Sequence, residues 1–132
     1  MAHQTKRILI VDDEALVLCD LTMTVEDFGY DVFCDATTLD DAFASLANGT
    51  PDAALLDIDV GGTLVWPLAR ELDARDCPIT FVSANSAHEE LANEFAHCRF
   101  IDKPASKAQI GHALEIALEA DSPRIRASGG RS

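Results

Sequence analysis

The sequence predicts an α/β fold, a doubly wound parallel sheet of five strands with helices on both faces. Two observations carry that expectation. Short apolar runs recur along the chain, with the length and composition of strands buried on both faces of a parallel sheet. Between them lie longer segments whose apolar residues repeat at three- and four-residue spacing, the pattern of amphipathic helices. Strands alternating with helices imply right-handed crossovers, which place helices on both sides of one sheet.

The first strand is RILIV, Arg7 to Val11, which ends in two aspartates. Leu18, Leu21, Val25 and Phe28 then mark a helix over Glu14 to Phe28, stopped by Gly29. Asp31 to Asp35 reads as the second strand, and Leu39, Phe43 and Leu46 mark a second helix that ends near Asn48 and Gly49. Ala53 to Leu56 form the third strand before Asp57, followed by a helix around Leu64 to Arg75. The fourth unit is a strand over Ile79 to Val82 and a helix over about Ser86 to Phe95. A last strand covers about Arg99 to Ile101, and Ser106 caps a final helix that buries Ile110, Leu114, Ala117 and Leu118. The domain is expected over residues 6–120, with 121–132 a flexible tail rich in Ser, Gly, Pro and Arg, including Arg124, Arg126 and Arg131.

A chain of 132 residues has room for one core, since domains most often hold roughly 100 to 150 residues. Nearly half of the residues are apolar, enough to fill that core. The net charge of −13 speaks against a nucleic-acid partner, because binding phosphates requires clustered Lys and Arg. It suits cations and basic partner surfaces instead. Cys19, Cys34, Cys77 and Cys98 show neither a CxxC pair nor metal-finger spacing, and read as buried thiols of a reducing cytosol. Neither a membrane-spanning run nor a secretory leader is legible, so a cytoplasmic location without membrane association is expected.

In an open parallel sheet, ligands bind beyond the carboxyl ends of the strands, where the strand order reverses. Here the first strand ends in Asp12 and Asp13, the third in Asp57, the fourth in Ser83, and the fifth in Asp102 and Lys103. The flavodoxin-like order 2-1-3-4-5 makes strands 1, 3 and 4 neighbours, with strand 5 beside strand 4. Asp12, Asp13, Asp57, Ser83 and Lys103 would then share one pocket, with Asp35 outside it. Three carboxylates in one pocket repel each other, and a divalent cation relieves the conflict. All-oxygen ligation with room for water and a phosphate oxygen points to Mg²⁺, with Mn²⁺ able to substitute. Asp57 is the best-placed nucleophile towards phosphorus, with Lys103 and the Ser83 hydroxyl to neutralise the phosphoryl oxygens.

The segments ILIVDDE (8 to 14), ALLDID (54 to 59), ITFVSA (79 to 84) and FIDKP (100 to 104) resemble the receiver domain of response regulators, in its stand-alone CheY-like form. The resemblance spans about residues 6 to 120 and rests on the joint order and spacing of the motifs. It implies that Asp57 is the phosphoacceptor and that Asp12 and Asp13 hold Mg²⁺ with it. The backbone carbonyl of Asp59 corresponds to a further ligand. Ser83 and Lys103 correspond to the phosphoryl-binding residues, Ala84 to the small neighbour of Ser83, and Pro104 to the proline of a Lys-Pro pair that is usually cis. Phe100 stands at the aromatic switch position, without the hydroxyl of the common Tyr. Such a domain catalyses its own phosphoryl transfer and dephosphorylation and turns over no external substrate. The implied partners are a histidine kinase or histidine phosphotransfer protein, and a separate downstream protein that meets the face of the fourth helix, fifth strand and fifth helix.

One departure from the family lies after the phosphoacceptor, where VGGTLVWP (Val60 to Pro67) replaces its usual Met-Pro and Asp-Gly signals. DIDVGGTL (57 to 64) also resembles the DxD signature of haloacid-dehalogenase-like phosphatases, the principal alternative. Order counts against that reading, since the DxD motif comes first in that family and follows the acidic pair here. The other alternative is an interaction module that has the fold and takes no phosphate. His3, His88, His97 and His112 are dispersed and read as surface or helix-packing residues, and Trp66 reads as part of the core.

Overall fold

Hydrophobic runs that cannot face water on either side come together in a central sheet, and the computed structural model describes it over residues 5–120. The elements are β1 (Arg7–Val11), α1 (Ala15–Asp27), β2 (Asp31–Ala36), α2 (Leu39–Ser45) with a 3₁₀ turn at Leu46–Asn48, and β3 (Ala53–Leu56). They continue with β4 (Asp59–Val60), β5 (Thr63–Leu64), α3 (Trp66–Ala74), β6 (Ile79–Ser83), α4 (Glu89–Ala92), β7 (Arg99–Asp102) and α5 (Lys107–Ala120). The main sheet has the order β2-β1-β3-β6-β7, with every pair parallel. Leaving out the short β4–β5 hairpin, this is the expected order 2-1-3-4-5. His3 and the expected tail, 121–132, lie outside the described residues.

Side chains alternate across the sheet, and each face carries its own core. Ile8, Ile10, Leu55, Val82 and Ile101 pack against Leu18, Leu21 and Val25 of α1 and Ile110 and Leu114 of α5. On the opposite face Leu9, Val11, Leu56, Ile79 and Phe81 meet Leu68, Ala69 and Leu72 of α3, Ala42 of α2, and Phe95. Burying one such large apolar side chain contributes about 1.5 to 3 kcal/mol, so the two layers together dominate the folding energy. The helix ends agree with the local signals. Gly29, at φ 90°, closes α1 in a conformation that disfavours other residues. Ser106 Oγ accepts the Gln109 N–H at 3.1 Å, while Gln109 Oε1 accepts the Ser106 N–H at 2.9 Å, a reciprocal cap at the start of α5.

Three expectations are corrected. The helix expected over Ser86 to Phe95 shrinks to Glu89–Ala92, with irregular chain before it and turns after it. Asn85 Oδ1 captures the Ala87 N–H at 2.9 Å before helix can start, and Asn93 (φ −114°, ψ −83°) leaves it so that Phe95 reaches the core. Asp59 to Leu64 form a two-stranded hairpin, and α3, expected from around Leu64, begins at Trp66 with Pro67 in its first turn. Gly61 and Gly62, at φ 63° and 86°, occupy the two central positions of a tight turn between paired Val60 and Thr63, where two glycines fit the left-handed geometry. The cysteines are not uniformly buried: Cys77 is, Cys34 and Cys98 are half-buried, and Cys19 is exposed on α1. In an amphipathic helix a position between core residues faces outward, whatever its hydrophobicity.

Candidate functional site

The carboxyl ends of β1, β3, β6 and β7 converge on one cleft, and the backbone registers its residues before any side chain acts. The Asp12 N–H donates to the Ala36 carbonyl at 3.1 Å, the Asp57 N–H to Val11 at 2.9 Å, and the Lys103 N–H to Ser83 at 3.0 Å. Asp12 is completely buried, and its Oδ1 accepts the Glu14 N–H at 2.9 Å. Asp13 is exposed, and its Oδ2 accepts the Gly61 N–H at 3.1 Å, which ties the hairpin to the acidic pair. Asp57 is buried, its Oδ1 accepting the Ile58 N–H at 2.8 Å and its Oδ2 a hydrogen bond from Lys103 Nζ at 3.1 Å. Lys103 Nζ also pairs with Asp12 Oδ2 at 2.8 Å and stands 3.7 Å from Glu14 Oε1.

One oxygen from each of Asp12, Asp13 and Asp57 lies within 4.8 Å of the others. Two carboxylates at that separation repel by about 3 kcal/mol at an effective dielectric of about 20, and a single ammonium does not neutralise three of them. Burial pushes the Asp57 carboxyl above its usual range, which the Lys103 hydrogen bond and charge only partly offset and the Asp12 charge reinforces. Burial opposes the charge on Lys103 too, but the Asp12 and Asp57 carboxylates beside it outweigh that and hold its ammonium above the usual lysine range. The pocket thus favours added positive charge. Its all-oxygen donors, converging from three carboxylates, and its open side fit a hydrated divalent cation such as Mg²⁺.

Asp13, Asp57, Asp59, Ser83, Ala84 and Lys103 line this cleft together, with Asp12 at its floor. The side chain of Asp59 turns away to accept the Gly62 N–H at 2.9 Å. Asp35 stands apart, 3.4 Å from the Thr22 hydroxyl. The Lys103–Pro104 peptide is cis, as in the family pattern, and Pro104 borders a different groove beside Leu16 and Val17 of α1. Phe100 is outside the cleft, on β7 opposite Phe81 and half-buried against the core. His97 is exposed and contacts Asp73 at 2.8 Å, and His112 is exposed on α5.

Two contributors escaped the sequence reading. The hairpin supplies Gly61, Gly62 and Leu64 to the cleft, and the Gly-Gly pair at its tip was the legible signal for it. His88, read as a surface or packing residue, lines the same cleft, and nothing in its local sequence announced that.

Comparison with known proteins settles the family. The profile described as "Response regulator receiver domain" matches residues 8–115. The chain belongs to the response-regulator receiver family. Receiver domains bind Mg²⁺ through an acidic pocket and generally are not turnover enzymes, which sets aside the phosphatase alternative. Curated relatives include the phosphate regulon transcriptional regulatory protein PhoB of Pseudomonas aeruginosa, 31% identical over 89% of this chain and 54% of that one. Another is the transcriptional regulatory protein PdtaR of Mycobacterium tuberculosis, 27% identical over 86% of this chain and 57% of that one. The chain thus spans little more than half the length of these relatives. Among solved structures, a response regulator receiver protein from Sinorhizobium medicae is 28% identical with a TM-score of 0.79, covering 89% of this receiver and 97% of that chain. A CheY-like receiver domain from Methanospirillum hungatei, 23% identical with a TM-score of 0.79 over 88% and 95% of the two chains, shares the fold. Among the described residues of this receiver no helix is long and apolar enough to cross a membrane.

Proposed function

We propose that this receiver domain accepts a phosphoryl group on Asp57 from the phosphohistidine of a histidine kinase or a histidine phosphotransfer protein. The observation that carries the proposal is the convergence of Asp12, Asp13 and Asp57 around one position, with the Lys103 ammonium bridging Asp12 and Asp57. Capping or solvation of strand ends calls for no such convergence, nor for a lysine at the fifth strand. In the transfer, an Asp57 carboxylate oxygen bonds to phosphorus as the bond from phosphorus to the donor's imidazole nitrogen breaks, leaving the donor as a neutral histidine after it gains a proton.

Asp12, Asp13, Asp57 and the Asp59 carbonyl would hold Mg²⁺. When bound, the ion supplies positive charge to the phosphoryl oxygens and to the crowded carboxylates. Lys103 offers a second cation and Ser83 a hydroxyl to the transferred group, with Ala84 leaving space beside them and Pro104 completing the turn after Lys103. Phe100 would answer the movement of Ser83 and alter the face of α4, β7 and α5, where a separate downstream protein binds. Cytoplasmic location follows from the nature of the donor, and nucleic acid is not a partner of this acidic domain.

The direct test is incubation with acetyl phosphate and Mg²⁺ followed by intact mass. Gain of one phosphoryl group, labile to acid and absent without the metal, supports the assignment. An unchanged mass, with a control receiver labelled in parallel, would leave an interaction module that takes no phosphate. Mn²⁺ should replace Mg²⁺ in this assay.

A further inference from the structure

Leu64 and His88 are the bulkiest side chains lining the phosphoryl cleft that carry no permanent charge, and they come from different crossovers of the sheet. His88 precedes α4 as its N-terminal capping residue, yet its side chain makes no capping hydrogen bond. Its ring instead meets Trp66 edge-on, with centroids 5.5 Å apart and planes at 71°. Trp66 is itself fixed. It is 4% exposed, stacks on Phe95 at 5.6 Å, and meets Phe81 edge-on at 5.8 Å. Such ring contacts stabilise beyond burial alone, so the imidazole rests on a fixed base.

Local hydrogen bonds link the same histidine to Ser83. The Asn85 N–H donates to Ser83 Oγ at 3.4 Å, the Ala87 N–H to Asn85 Oδ1 at 2.9 Å, and the His88 N–H to the Ser86 carbonyl at 2.9 Å. The loop from Ser83 to His88 is thus braced at every second residue or so, and displacement of Ser83 moves the backbone that carries the imidazole.

We propose that His88 is a positioning residue of the phosphoryl site: its ring, supported by Trp66 and carried on the loop from Ser83, covers the open side of the cleft and slows attack of water on the aspartyl phosphate. This rests on the reading of Asp57 as phosphoacceptor. In the step it controls, a water oxygen bonds to phosphorus, the bond from phosphorus to the Asp57 oxygen breaks, and the products are the Asp57 carboxylate, inorganic phosphate and a proton released to solvent. Excluding water from such a site is a recognised means of protecting a reactive intermediate.

The test uses the whole chain labelled with acetyl phosphate and Mg²⁺, freed of donor, with decay of the phosphorylated fraction followed by intact mass. A first-order decay rate does not depend on how much protein was labelled, so unequal labelling of variants does not disturb the comparison. His88→Ala should decay severalfold faster than wild type, and His88→Phe, which keeps a ring against Trp66, should restore the slow rate. The emission of Trp66, the chain's single tryptophan, should shift on labelling of wild type and His88→Phe and respond less in His88→Ala. Equal decay of His88→Ala and wild type would overturn the proposal. Slower decay would also overturn it, by making His88 an assistant of the water, and so would a fast His88→Phe, by assigning the effect to a ring nitrogen. Failure of wild type itself to take phosphate would refute the phosphoacceptor reading instead.

Discussion

The Lys103 ammonium donates to Asp57 Oδ2 at 3.1 Å, across 46 residues of sequence and from the far side of β6. It joins a cation of the pocket to a carboxyl that burial pushes above its usual range. A phosphoryl group on Asp57 would find that ammonium already beside it, which removes the need to reorganise charge during transfer.

Asp57→Asn should abolish acid-labile phosphorylation while leaving the fold intact, since the amide keeps the side chain's size and removes the nucleophile. Lys103 retains Asp12 as its partner, 2.8 Å away, so no buried cation is stranded. Intact mass after acetyl phosphate and a circular dichroism spectrum check the two halves, and continued labelling would refute the site assignment.

Asp13→Ala should weaken Mg²⁺ binding tenfold or more, about 1.4 kcal/mol or above, and reduce phosphorylation with it. The exposed Asp13 carboxylate is one of three converging on the site and also anchors Gly61 of the hairpin. Calorimetric titration with Mg²⁺ measures the loss directly, and an unchanged isotherm would remove Asp13 from the ligand set.

Gly62→Ala should destabilise the domain by about 1 kcal/mol through its backbone alone, because φ is 86° there and nothing within 4 Å would meet the added methyl. Urea unfolding reads the stability. Since this turn holds the Gly61 N–H on Asp13, Mg²⁺ affinity should fall in the same variant, and wild-type values of both quantities would show that the turn tolerates other geometry.

Phe100→Ala should still take phosphate but lose the dependence of partner binding on phosphorylation. The ring is half-buried on β7, so it has a core to turn into, and even part of the roughly 1.5 to 3 kcal/mol from its burial biases a two-state equilibrium severalfold. Affinities of phosphorylated wild type and mutant for the partner, measured side by side, decide it, and equal values would reduce the ring to packing.

Alkaline pH should destabilise the domain through Cys98. Burial, with the Asp73 charge second, pushes its thiol from 9.0 up to about 12, only partly offset by a backbone hydrogen bond from Ile79. A raised folded value means stability fully present below the unfolded pKa, near 9, and lost as pH rises towards about 12. Urea midpoints across that window should fall for wild type and fall less for Cys98→Ser. Exposed Cys19 should react with a maleimide well before Cys98 does.

The five βα units and the residues at the strand ends were readable from the chain because both are local properties. A strand covered on both faces is largely apolar, so residues 8–11 and, despite Thr80, residues 79–82 declare themselves as apolar runs, and Asp12 and Ser83 stand just beyond each run. Strand order then brings Asp12, Asp57 and Lys103 together. Tertiary structure decided the rest. The crossover after β6 has helical spacing, but α4 holds only four residues, and Phe95 beyond it stacks on Trp66. His88 lines the cleft with its ring against Trp66, which lies 22 positions earlier and meets it only in the folded chain. The hairpin at Gly61 and Gly62 is intermediate, since its turn is local while its anchor on Asp13 is 48 residues away. Periodicity records which face of an element is buried. Which distant side chain buries it is set by packing, where a single aromatic contact outweighs the few tenths of a kcal/mol by which local propensities differ.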